Sequence, residues 1–254
     1  MRTSTSRPVL LALSLFLFVF SAATFAQEAP AGSERFLLEA VNRERALEKL
    51  LPLQWDANLA SAARAHAREM AERNRLSHQF PGEPDLTKRT RGAGAHFSMV
   101  AENVAEAPSI NELHIGWMKS TPHRANILNP KLTAIGIAVE MRGEQYFAVQ
   151  DFSTAVGLLT KEQQEKKVGE LLRARGLRIA ENSDDARKAC DSSFAVPGGR
   201  SLVIVHFETP DLNQLPEQLS GAIKRGGYKT AAVGACSVDE SAGISRFRIS
   251  VLLY

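Results

Sequence analysis

Apolar residues in the first third of the chain recur at the spacing of helices. Phe36, Leu37, Ala40 and Val41 form one stripe within a helix predicted from about Ser33 to Leu50, and Leu51-Pro52-Leu53 breaks it. A second helix is predicted from Ala57 to about Arg75, with Leu59, Ala62, Ala63, His66 and Met70 on one face. Ser77 to Ala95 reads as loop, because Pro81, Gly82, Pro84, Gly92 and Gly94 punctuate it. Ser109 with Glu112 three residues on is a capping box that opens a helix carrying Ile110, Leu113 and Trp117 on one side. Thr121-Pro122 then starts a short helix to Leu128 as N-cap and N1 proline, and Asn129-Pro130 ends it. Two β-type runs follow, Ala134–Glu140 and Gln145–Phe152, joined by a turn over Met141-Arg142-Gly143-Glu144. Helices first and a hairpin last predict an α+β domain over residues 33–153.

The pattern changes after residue 153. A charged helix, Lys161–Arg175, connects to a strand at Ser201–Glu208, a helix near Leu212–Arg225, and strands at Tyr228–Val238 and Ser245–Tyr254. Residues 154–254 therefore read as a separate small α/β unit, and no internal repeat is visible in the sequence.

Composition narrows the class. At 44% hydrophobic and 23% charged residues the chain is globular. Residues 33–153 hold 15 Lys/Arg against 15 Asp/Glu, and residues 154–254 hold 14 against 12, so no basic face for nucleic acid is expected. Residues 1–26 read as an export signal: Arg2 and Arg7 precede an apolar run from Val9 to Phe20, small residues follow, and a cut after Ala26 has Thr24 three back. The rival reading is an uncleaved anchor, since Pro8 to Gln27 carries no charge; cleavage is preferred because no basic stop-transfer cluster follows. The expected location is periplasmic or extracellular, without a stable transmembrane anchor. In an oxidising compartment Cys190 and Cys236, the two cysteines of the chain, are expected to form a disulfide.

Four segments of the first domain carry a resemblance. They are Leu76-Ser77-His78; Ala101-Glu102-Asn103-Val104-Ala105; the run from Trp117 to Leu128 with Ser120, His123, Arg124 and Asn126 inside it; and Ile135-Gly136-Ile137-Ala138-Val139 followed by Gln150-Asp151-Phe152. In this order they resemble the CAP superfamily (cysteine-rich secretory proteins, antigen 5 and pathogenesis-related 1), most closely its bacterial branch. The resemblance covers about residues 34–153 and implies an α-β-α sandwich. It also implies a central cavity faced by two histidines and usually two glutamates. By residue-by-residue carry-over these are His78, Glu102 and His123. Ser120 stands where the second glutamate should fall, and Glu112 and Asp151 are the nearest substitutes in the sequence.

Two imidazoles and a carboxylate from separate segments are a ligand set for a transition metal, zinc first, with open positions. A helix start at His123 favours the neutral ring that a ligand needs. The bland alternative is a hydrogen-bonded cluster in which Glu102 orients the histidines. His66 reads as a core histidine, His96 as solvated, His206 as a strand residue of the tail, and His114 is open between roles. Arg124 and Asn126 read as pinning their loop. The family implies a non-catalytic binding module for a lipid-like, carbohydrate or protein ligand. A metal-dependent hydrolase using His78, His123 and Glu102 is the second reading, disfavoured by the absent glutamate.

Overall fold

The computed structural model describes residues 29–30, 32–190, 203–238 and 244–254. The export signal predicted at residues 1–26 lies outside them. Among the described residues no helix is long and apolar enough to cross a membrane.

The first unit is built as predicted, with additions. Helix α1 (Gly32–Leu47) buries Leu37, Ala40 and Val41. A two-residue strand, β1 (Gln54–Trp55), follows the proline break. Helix α2 (Ala57–Arg73) is capped by Asp56, whose side chain accepts from the N–H groups of Asn58 and Leu59, and it ends at Asn74 in the left-handed conformation. The segment predicted as loop contains helix α3 (Leu86–Gly92), capped by Asp85 on the N–H of Lys88. Strand β2 (Phe97–Ala107) is an element that the hydrophobic pattern did not delimit, because polar residues at Glu102, Asn103 and Glu106 obscured its alternation. Helix α4 (Ile110–Lys119) is capped by Ser109, and α5 (Thr121–Ile127) has Pro122 in its first turn. The cap position of α5 is Ser120 and not Thr121 as expected, which is the first residue of the helix. Strands β3 (Ala134–Arg142) and β4 (Gln145–Ala155) form the predicted hairpin.

These strands make one sheet in the order β1-β3-β4-β2, with β1 parallel to β3 and the other pairs antiparallel. One face packs on α1 and α4 through Leu37, Val41, Leu113, Trp117, Ile135, Ile137 and Phe152. The other packs on α2 through Ala63, Ala67, Met70, Val104, Ala138 and Val149. The result is the expected α-β-α sandwich.

The second unit repeats this plan in its backbone topology, a repeat that the sequence does not display. It comprises α6 (Lys161–Arg173), β5 (Arg178–Ile179), α7 (Asp184–Ala189), β6 (Val203–Thr209), α8 (Glu217–Arg225), β7 (Thr230–Ala235) and β8 (Phe247–Leu253). Its sheet order is β5-β7-β8-β6, again with the two-residue strand parallel to its neighbour and the rest antiparallel. Val168 and Leu172 of α6 and Leu219 and Ala222 of α8 cover one face, as α1 and α4 do in the first sheet, and Ala186 and Ala189 of α7 lie on the other, as α2 does. Gly136 on β3 passes so close beneath α2 that a Cβ would stand 2.0 Å from the Ala60 nitrogen. Gly234 on β7 passes beneath α7 in the same way, 2.3 Å from the Ala186 carbonyl carbon. The repeat was not legible in the sequence because it lies in backbone topology: α2 has 17 residues where α7 has six. Cys190, at the end of α7, and Cys236, just past β7, form the expected disulfide with Cα atoms 5.4 Å apart.

Candidate functional site

His78, Glu102 and His123 come together. His78 lies in the turn after α2, Glu102 in the middle of β2 and His123 in the first turn of α5. The two imidazole centroids are 6.4 Å apart, the rings inclined at 52°. His78 Nδ1 is 2.8 Å from Glu102 Oε1, and the other carboxylate oxygen is held by the guanidinium of Arg89. The side chain of His78 is 62% exposed, while that of Glu102 is 4% exposed, so a buried carboxylate presents a surface imidazole.

The backbone around the rings is fastened by amides. Asn103 Nδ2 donates to the carbonyl of His123 and to Gln150 Oε1, both at 3.1 Å. Asn126 Nδ2 donates to Asn103 Oδ1 at 2.9 Å and to the Glu102 carbonyl at 3.1 Å. Arg124 reaches Glu48 at 3.0 Å and so ties α5 to the end of α1.

Arg89 is the residue that sequence reasoning missed. Its side chain is 6% exposed, and besides Glu102 it meets the carbonyl of His78 at 3.2 Å and Glu83 at 3.6 Å. Glu83 in turn is 2.6 Å from His66 Nδ1 and accepts from the N–H of Phe80 at 2.9 Å. His66 Nε2 faces the carbonyl oxygen of Ser77 at 2.8 Å. A carbonyl only accepts, so Nε2 is the donor in that contact. His66 is thus buried, as expected, but as one end of a polar chain that anchors the loop bearing His78. An acid three residues after Phe80 and an arginine within a capped helix were the available signals, and both were hidden in the Gly/Pro-rich stretch.

Charge separates the two rings. The hydrogen bond and the negative charge of Glu102 raise the proton affinity of His78 above the ordinary imidazole value, against burial and Arg89. Burial, and then the neighbouring His78, lower that of His123. Relative to an ordinary imidazole, His78 is shifted toward the charged form and His123 toward the neutral form.

The other candidates lie elsewhere. His114 on α4 faces Glu44 of α1 at 3.7 Å. Glu112 is an exposed cap residue, its carboxylate accepting from Ser109 Oγ at 3.1 Å. Ser120 joins α4 to α5 and makes no side-chain cap bond. His96 is a half-buried loop residue that lines a cavity of about 370 Å³ beside Lys161 and Phe247. His206 is exposed on β6.

The trio does not fit a three-ligand ion site as it stands. Among the described residues no three His, Cys, Asp or Glu side chains are gathered to hold a metal ion. Glu102 lies on the Nδ1 side of His78 and is engaged at both oxygens, which makes it an orienting group for that ring instead of a third ligand.

Residues 38–152 match the family model described as the cysteine-rich secretory protein family, CAP. The first unit is a CAP domain. Uncharacterized protein YkwD of Bacillus subtilis (strain 168) is 34% identical over 115 residues, 45% of this chain and 45% of that protein. Uncharacterized membrane protein YlbC of the same organism is 31% identical over 114 residues, 43% of this chain and 32% of its own. The chain thus spans less than half the length of the curated relatives it matches. An extracellular protein containing an SCP domain, from Bacillus anthracis str. Ames, is 29% identical in its crystal structure, which covers 48% of this chain and 40% of its own with a TM-score of 0.45. CAP residues 38–152 contain the whole His78–Glu102–His123 cluster.

Proposed function

We propose that this is an exported binding protein whose CAP domain takes a hydroxyl-rich ligand, a carbohydrate, at the face shared by His78 and His123. The observation that carries this reading is the pair of imidazoles 6.4 Å apart with opposite proton preferences, one of them 62% exposed. A ring shifted toward the charged form is the better donor and one shifted toward the neutral form the better acceptor, so the pair suits the donors and acceptors of sugar hydroxyls. A lipid-like ligand is held by a predominantly apolar concavity, whereas the groups that carry this reading are ring nitrogens. The hydrolase reading needs a free carboxylate to activate water, and Glu102 is engaged by His78 and Arg89. Export rests on the charge, apolar run and small residues of positions 1–26.

The test is a ¹H–¹³C titration of the histidine rings of the mature protein with amino-sugar oligosaccharides, beside vesicles of anionic phospholipid. Saccharide-dependent shifts confined to His78 and His123, and lost in His123→Ala, are expected. Co-sedimentation with vesicles and no saccharide shift would transfer the ligand to the lipid class. An intact mass beginning at or near Gln27 is expected for the exported form, and one retaining Arg2 and Arg7 would instead support an anchor.

A further inference from the structure

A second carboxyl group stands directly across the ladder from Glu102. Asp151 on β4 pairs with Glu102 on one side and with Gly136 on the other, and its side chain is fully buried. Facing residues of an antiparallel pair project to the same side of the sheet with Cβ atoms about 5 Å apart. Among the described residues no donor group reaches either carboxyl oxygen of Asp151. The cation that acts on Asp151 is Arg89 of α3, and its guanidinium is already bound to Glu102 and beside Glu83. His78 is spent on Glu102, and His66 of α2 on Glu83. Two carboxylates in one buried place do not both ionise, and the proton settles on the one with fewer donors.

We propose that Asp151 is a positioning residue of the His78–His123 site: a carboxylic acid kept neutral, whose O–H is held for Glu102 and keeps that carboxylate turned to His78. The inference rests on the reading of those two rings as the binding face. Burial first, and the charge of Glu102 second, push the Asp151 carboxyl well above the usual carboxylate range, with Arg89 opposing.

The second sheet supplies an internal contrast. Its corresponding rung, marked by the glycine beneath the helix, holds Gly234, Ser250 and His206 where the first sheet holds Gly136, Asp151 and Glu102. Ser250 is buried like Asp151, so the backbone position itself requires no acid. The facing pair of acids belongs to the sheet that carries the two imidazoles. The Ser250 hydroxyl is buried and unpartnered too, but a carboxyl group is the costlier of the two to bury, and its return lies in what it does to Glu102.

The experiment uses the full mature chain without ligand, so failure of the saccharide titration leaves its outcome untouched. Infrared spectroscopy reads the C=O stretch of a protonated carboxyl at neutral pH, and ring NMR reads the titration midpoint of His78. The acid band is expected in the unaltered protein and should vanish in Asp151→Asn. The His78 midpoint should stay in place in Asp151→Asn, whose amide N–H can still donate to Glu102, and move by about half a unit or more in Asp151→Leu. Absence of the acid band overturns the proposal. So does a lowered His78 midpoint in Asp151→Asn, because an ionised Asp151 would then have been supporting the imidazolium. A midpoint common to all three proteins would leave Asp151 a packing residue and overturn its positioning role. If Asp151→Leu fails to fold, Asp151→Ala replaces it and is read by the same criteria.

Discussion

Gly136 on β3 and Gly234 on β7 hold the same place in two sheets of one topology, each passing beneath the backbone of a helix. A methyl group at either would meet main-chain atoms of α2 or α7 at under 2.5 Å, and backbone does not swing aside as a flexible side chain does. Gly136→Ala and Gly234→Ala should each destabilise by about 3 kcal/mol or more, at the upper end of overpacking costs. Denaturant unfolding with hydrogen exchange would show the loss centred on the first sheet for one and on the second for the other. An alanine tolerated at Gly234 would contradict the close approach of α7.

Arg89 carries the buried charge balance of the site. Removing one partner of a buried pair leaves charges uncompensated and typically costs 3–5 kcal/mol. Arg89→Met should fall within about that range, because Glu83 and Glu102 both lose their guanidinium. Urea unfolding gives the magnitude. A loss below about 1 kcal/mol would mean that solvent reaches the pair and screens it.

The pH dependence follows from His78. Its folded proton affinity is raised, so the stabilisation it brings is present below the ordinary imidazole midpoint and is lost as pH rises through the folded value. Glu102→Gln removes the principal cause of the rise while burial and Arg89 still oppose it. The His78 midpoint in that variant should fall to or below the ordinary value, as ring NMR would read. An unmoved midpoint would show that the contact between Nδ1 and Glu102 is not maintained in solution.

Replacement of Cys190 and Cys236 together should weaken the second unit by about 4 kcal/mol on the chain-entropy account. The two lie 46 positions apart, and the link fastens a six-residue helix to its sheet. Thermal unfolding checks the magnitude, and thiol labelling of the denatured, unreduced protein should find no free cysteine.

Trp117 and His123 separate packing from binding. Trp117 is wholly buried between α4 and the first sheet, so Trp117→Ala should cost about 3–5 kcal/mol. His123 is half-buried, and His123→Ala should cost much less while abolishing the saccharide-dependent shift at His78. Equal losses of stability in the two variants would make His123 a structural residue.

Local patterns in the sequence determined the helices that begin at Asp56, Ser109 and Thr121, the hairpin of β3 and β4, and the apolar stripe of α1, because caps, turns and periodicity act within a few residues. The motif runs around His78, Glu102 and His123 marked the three candidates by family resemblance. What only the tertiary structure decided is how those residues act. His78 and Glu102 lie 24 positions apart, and the sequence between them does not specify that Arg89 takes the second carboxylate oxygen or that Asp151 stands opposite in the ladder. Those relations arise from strand register and from the packing of α3 beside β2. The repeated sheet order is of the same kind. It consists of which strand lies beside which, and unlike side chains on helices of unlike length can build it wherever a glycine lets helix and strand meet.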